Sequence, residues 1–347
     1  MNHEFAQIIG GSRWLMEPKA FRAMVKRAEA ATPALIEAAM QAYSTDRSPG
    51  LNMTGDVAVI NACGPITYKR SWFSCYFGAA TIEDMQAQFR LALADASVKT
   101  IVFRADSPGG SVEFVPEFAD EIYAARGQKP IIAVADTMIC SAAQWIFAQT
   151  DLTYASASSW LGACGVFMEH FDISEMLAKA GVKVSIIRHG EKKAIDTEYE
   201  PLSDEARADL QAYVDEIGGE FDAAMARGRG VTKKVVLDTF GQGKAFRGKE
   251  AIAIGLADKP GTFAQVMAKL TKGRVSVGAR ANAGAAPAIQ ATVDLSEPDA
   301  PVVEAPEPDI ASVSEATETK PTVDPALAAR QAQADADLLS ITLALLR

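Results

Sequence analysis

Between residues 57 and 156 short apolar runs alternate with helical ones, and this alternation limits the fold more than any other feature of the chain. The runs 57–63, 100–106 and 130–136 are built around Val, Ile and Ala, and 152–156, LeuThrTyrAlaSer, is a further short strand; this is the pattern of strands buried on both faces. Residues 81–96, opened by a threonine and an acidic first turn, and residues 112–126 read as helices. Parallel strands need crossovers of that length, so the spacing predicts an α/β domain with a parallel sheet. In such a domain, ligand and catalytic groups gather at the C-terminal ends of the strands.

Two stretches fall at those ends. Residues 138–148, MetIleCysSerAlaAlaGlnTrpIlePheAla, place Ser141 where a strand turns into a helix. A hydroxyl there lies beside unpaired backbone N–H groups and the positive end of the helix dipole, which suits a nucleophile and an ordinary N-cap alike. Residues 106–110, AspSerProGlyGly, follow the preceding strand. Gly109 and Gly110 let the backbone approach a ligand and point N–H groups into a cleft. With the Ala142 N–H as a second donor they would hold the oxyanion of an acyl-transfer intermediate. The plainer reading is a Pro-Gly turn.

A serine nucleophile needs a base. The histidines are His3, His170 and His189. A Ser-His-Asp arrangement would use His170; a Ser-Lys arrangement would use Lys192 or Lys193, which follow an expected strand over 182–187. A lysine works as a base only where burial or nearby positive charge leaves it neutral. Neighbours in an extended chain face opposite ways, so one of the two lysines points inward. These residues by themselves do not choose among the three.

Around this core, residues 18–43 read as helical with an interruption at Pro33, and a domain begins near Gly55. Further helices are expected over 174–180, 203–229, 233–240, 248–254 and 263–270, the long one carrying Leu210, Val214, Ile217 and Phe221 on one face. The plan is a helical extension (1–54), a catalytic domain (55–273), an acidic Ala/Pro-rich linker expected to be disordered (274–325), and an amphipathic helix suited to docking (326–347). The formal charge is −10, and from residue 281 onward eleven Asp and Glu stand against three Lys and Arg. This balance argues against a general nucleic-acid binder. Cys63, Cys75, Cys140 and Cys164 lack zinc-site or disulfide-framework spacing. No basic-then-apolar leader opens the sequence, and no run reaches the roughly 18 apolar residues of a membrane span. The expectation is a cytosolic protein without membrane, metal or cofactor.

AspSerProGlyGlySer at 106–111, CysSerAlaAlaGlnTrpIle at 140–146, GlyAlaCysGlyVal at 162–166, Gly-x-x-Lys at 190–193, ProLeuSer at 201–203 and GlyLeuAlaAsp at 255–258 together resemble the signal peptide peptidase A family of Ser-Lys peptidases. The resemblance spans about residues 55–260. It implies the Clp-protease/crotonase fold, a spiral of ββα units, with Ser141 as nucleophile, Lys193 as general base, the Gly109–Gly110 turn as oxyanion donor, and Lys192 as an outward-facing neighbour. The family's usual Gly-Ser-Ile-Gly-Val is GlyAlaCysGlyVal here, which removes a hydroxyl near the base. Gln144 and Trp145 stand where a tyrosine is common, and the N-terminal anchor of membrane-bound members is lacking. A helical extension, one catalytic unit and an acidic tail make the layout similar to the head maturation proteases of tailed bacteriophages. That implies a homo-oligomer in the host cytoplasm, within the assembling head, acting on capsid, scaffold and portal-type proteins and on itself. A host-type peptidase of the same family, an inert scaffold and a crotonase-type acyl-CoA enzyme stay open as alternatives.

Overall fold

The computed structural model describes residues 14–44 and 50–272; the acidic linker and the 326–347 helix lie outside the described residues. Among the described residues, 175–184 belong to a second compact unit.

The chain begins with β1 (Trp14–Met16), α1 (Pro18–Glu29) and α2 (Pro33–Ser44). Glu17 caps α1 by accepting the Ala20 N–H at 2.9 Å, and Pro33, which cannot continue a helix, opens α2 as its first residue. Then come β2 (Asn52–Thr54), β3 (Val57–Cys63), β4 (Ile66–Thr67), α3 (Trp72–Phe77), β5 (Ala80–Thr81), α4 (Ile82–Ala94), β6 (Thr100–Ser107), β7 (Gly109–Ser111) and α5 (Val115–Ala124). They lead into β8 (Ile131–Cys140), α6 (Ala142–Phe147), β9 (Leu152–Ala155) and β10 (Trp160–Gly162). The remainder is α7 (Ser174–Lys179), α8 (Asp204–Arg229), α9 (Lys233–Thr239), β11 (Ala245–Arg247), α10 (Gly248–Ala253), β12 (Lys259–Pro260) and α11 (Phe263–Leu270).

The main sheet runs β11-β10-β8-β6-β3-β2, with β9 and β12 branching from β8. Its centre, β3-β6-β8, is parallel. Both faces of these strands are covered, as their unbroken apolar runs require. Ile60, Ile101, Phe103 and Ile131 pack into the core beneath α4, α5 and α6, where Phe103 meets Phe147 at 5.1 Å between ring centroids. Val59, Val102, Ile132 and Val134 face the opposite way, onto Val266 and Met267 of α11.

A second sheet, β1-β7-β4-β5, takes the short strands that follow β3 and β6, whereas β8 runs straight into α6. β3 hands to β4 and then to helix, and β6 hands to β7 and then to α5. The architecture is thus the α/β repeat of ββα units that the sequence motifs imply. The N-terminal residues join it: β1 extends the second sheet, and Met16, Phe21, Met24 and Ala28 share a core with Phe73 and Phe77 of α3.

One expected element is not formed. Residues 182–187 alternate apolar and polar side chains, but a strand also needs a partner for its N–H and C=O groups. No strand is assigned there, and Val184 and Ile187 stand 40% and 98% exposed.

Candidate active site

β8 is the longest strand of the sheet, and its last three residues pair in parallel with β10, Cys140 opposite Gly162. The Ser141 N–H then donates to the Gly162 carbonyl at 2.8 Å, so the neighbouring strand fixes the residue where β8 gives way to α6. The turn is sharp. Ser141 has φ 54° and ψ −117°, a conformation unfavourable for a residue with a Cβ. Its side chain makes no capping hydrogen bond to α6, and Oγ lies 3.4 Å from the Gly165 carbonyl, to which it donates. The serine is 1% exposed in the chain as described.

The helix behind it is held at both ends. Trp145 stacks on Phe221 of α8 at 4.8 Å between centroids. Past the C-terminal end of α6, the Arg126 guanidinium donates to the carbonyls of Ala148, Gln149 and Thr150 and also to that of Gly228. A cation there complements the negative end of the helix dipole and satisfies carbonyls that the helix leaves unpaired. Sequence reading missed Arg126, because nothing in its neighbourhood marks it apart from a solvated surface arginine.

The Gly109–Gly110 turn is brought to the same place: β7 packs against α6. Gly110 is compelled by sterics, since a Cβ on it would lie 1.8 Å from the Ile66 carbonyl oxygen of β4. Gly109 has φ 100°, and its N–H is spent on Ser107 Oγ at 3.3 Å. The Ala142 N–H makes no hydrogen bond among the described residues. Gly110→Ala is therefore expected to destabilise the fold by about 3 kcal/mol through overpacking, seen as a lowered melting temperature together with loss of any activity.

The GlyAlaCysGlyVal segment forms the opposite wall. Ala163, at φ 50°, donates its N–H to the Lys244 carbonyl at 2.9 Å, and Gly165 supplies the acceptor for Ser141. Burial pushes the Cys164 thiol well above the ordinary thiol range. Burial, with Glu17 adding to it, pushes Cys140 up to about 12. Both thiols stay protonated near neutral pH, so neither is a ready nucleophile.

Beyond Gly165 the chain lines a cavity of about 590 Å³ whose other wall is the first half of α8. His170 lines it, and its Nε2 is buried with no hydrogen-bond partner among the described residues. Lys192 is exposed and pairs with Asp209 at 2.6 Å and Glu205 at 3.8 Å. Lys193 is also exposed, within the turns of 191–196, and its ammonium makes no hydrogen bond or ion pair among the described residues. The structure thus brings together Ser141, Ala142 and the Gly109–Gly110 strand. It leaves both lysines in solvent.

Comparison with known proteins agrees with the motifs. Residues 124–277 match the model of peptidase family S49. The chain is 30% identical over 203 residues to the head-tail preconnector protein GP5 of Enterobacteria phage P21, covering 58% of this chain and 40% of that protein. It is likewise 30% identical over 203 residues to the capsid assembly protease C of Escherichia phage lambda, covering 58% of this chain and 46% of that one. The chain thus spans less than half the length of these two relatives. Among solved structures, a point mutant of ClpP1 from Listeria monocytogenes aligns over 60% of this chain and 94% of its own, at 12% identity and a TM-score of 0.39.

Proposed function

We propose, from the match of residues 124–277 to the model of peptidase family S49, that the chain is a serine endopeptidase of bacteriophage head assembly working through Ser141 and Lys193. One observation carries the reading. Ser141 is held in a strained strand-to-helix turn with its hydroxyl uncommitted to capping, beside the unbonded Ala142 N–H. Strain of this kind persists where function requires it, and an N-cap serine would have spent its oxygen on the helix.

In the proposed reaction, Ser141 Oγ attacks the carbonyl carbon of a peptide bond and passes its proton to Lys193 Nζ. The oxyanion rests on the N–H groups of Gly110 and Ala142. Collapse of the intermediate expels the amine, which takes the proton from Lys193, and water then releases the acyl group by the same route. Lys193 can act only when neutral, which burial favours. Since it is solvated in the single chain, the burial would come from closure of the 190–196 turn over the cleft within a homo-oligomer. The substrates would be capsid, scaffold or portal-type proteins and the chain's own 274–325 linker, cut in the host cytoplasm inside the assembling head. Among the described residues, no helix is long and apolar enough to cross a membrane.

The test follows self-processing and capsid-protein cleavage by intact mass in wild type and in the Ser141→Ala, Lys193→Ala and His170→Ala variants. Cleavage is expected to vanish in the first two and persist in the third. Activity surviving in Lys193→Ala but lost in His170→Ala would replace the lysine with a histidine base. Activity surviving in Ser141→Ala would end the reading altogether.

A further inference from the structure

We propose that this chain's own N-terminal strand β1, paired along the outer edge of β7, holds the enzyme latent until displaced. The inference rests on the roles given above to Ser141 and Gly110.

β7 has two edges. One pairs with β4 through Ile66 and Gly110; the other pairs antiparallel with β1, Trp14 opposite Ser111, Leu15 opposite Gly110 and Met16 opposite Gly109. The Glu17 N–H donates to the Pro108 carbonyl at 2.7 Å, which makes residues 17 and 108 a hydrogen-bonded pair. In an antiparallel ladder such pairs alternate with non-bonded ones, so the next bonded pair is Leu15 with Gly110. The Gly110 N–H assigned to the oxyanion therefore faces the Leu15 carbonyl. One N–H cannot serve both, so a substrate carbonyl at Ser141 and the β1 strand exclude each other.

The strand is anchored next to the contact and yet weakly paired. Met16 is 2% exposed in the core with Phe21, Met24 and Phe73, and Glu17 caps α1 directly after it. The pairing itself amounts to three hydrogen bonds, each worth about 1 kcal/mol net. An extended substrate segment that adds contacts beyond β7 would displace a strand so weakly paired.

Two variants test this. In Trp14→Cys/Ser111→Cys the new thiols occupy a non-bonded antiparallel pair, where Cα atoms come within about 4.5 Å and a disulfide is geometrically allowed. Oxidation is expected to lower fluorescein-casein hydrolysis at least tenfold, and dithiothreitol is expected to restore it. In Leu15→Pro the N–H that faces the Gly110 carbonyl is lost. Hydrogen exchange of the 107–113 peptide is expected to rise at least tenfold, along with casein hydrolysis. An oxidised protein as active as the reduced one would overturn the proposal, as would faster exchange in Leu15→Pro without faster hydrolysis, or unchanged exchange. Hydrolysis persisting when Ser141→Ala is added to either variant would instead remove the nucleophile assignment, while the exchange result would still report whether β1 shields Gly110.

Discussion

Ser141→Gly is expected to abolish peptide hydrolysis and to yield a protein more stable than Ser141→Ala. The two losses of the nucleophile are chemically alike, and each should lower kcat/KM by at least about 10³-fold. They differ in the backbone. At φ 54° and ψ −117° a Cβ is strained, at a cost of about 1–3 kcal/mol. Alanine keeps that Cβ and glycine removes it, at an unfolded-state entropy cost of about 0.5–1 kcal/mol. The net advantage of glycine is about 1 kcal/mol, or roughly 2–4 °C in Tm for a folded body of this size. Paired thermal melts decide it. Glycine melting at or below alanine would mean that the turn stores no strain, and the main structural support for Ser141 as the nucleophile would go with it.

Asp258→Ala should be the most damaging single change outside the Ser141 turn. Arg229 and Asp258 form an ion pair at 2.8 Å with side chains only 3% and 10% exposed. The Arg229 guanidinium also donates to the Gly255 carbonyl at 2.7 Å, and Asp258 accepts the Thr153 N–H of β9 at 2.8 Å. Removing the carboxylate leaves a buried guanidinium without its counter-charge, at a cost of about 3–5 kcal/mol, or about 10 °C in Tm. Because the penalty comes mainly from the orphaned charge, Arg229→Met combined with Asp258→Ala should be less destabilised than Asp258→Ala alone. Urea denaturation of the three proteins measures this; a double variant as unstable as the single one would show that packing, and not charge, is at stake.

This pair shows how far the residues could be read in advance. GlyLeuAlaAsp at 255–258 stood out as a motif, yet its role lies in contacts with Arg229 and Thr153 far away in sequence. The central strands were legible because burial on both faces leaves their middles, Val57–Ile60 and Ile101–Phe103, wholly apolar. The long helix Asp204–Arg229 was legible from its Ser203 cap and its apolar face. The second sheet was not, because strands of two or three residues such as β4, β5 and β7 are too short to show a period. Residues 182–187 failed the other way, with the right alternation and no partner. At the site, the position of Ser141 at the strand-to-helix junction was readable, whereas its departure from N-cap geometry was not. The family resemblance singled out Lys193, but nothing in the residues said that it would stand in solvent.

The Arg126 contacts also set an order in time. Three of its acceptors lie just after α6, but the fourth is the Gly228 carbonyl, and the strand that follows Ser141 waits further for Asp258 to meet Thr153. On a ribosome adding about 5–20 residues per second, the interval from residue 141 to residue 258 lasts about 6–23 s. Through most of it the turn has its partners at Gly162 and Gly165 but lacks the bracing from Gly228 and Asp258 behind it. A nascent chain therefore carries Ser141 for many seconds before the helix and strand that follow it are fully braced.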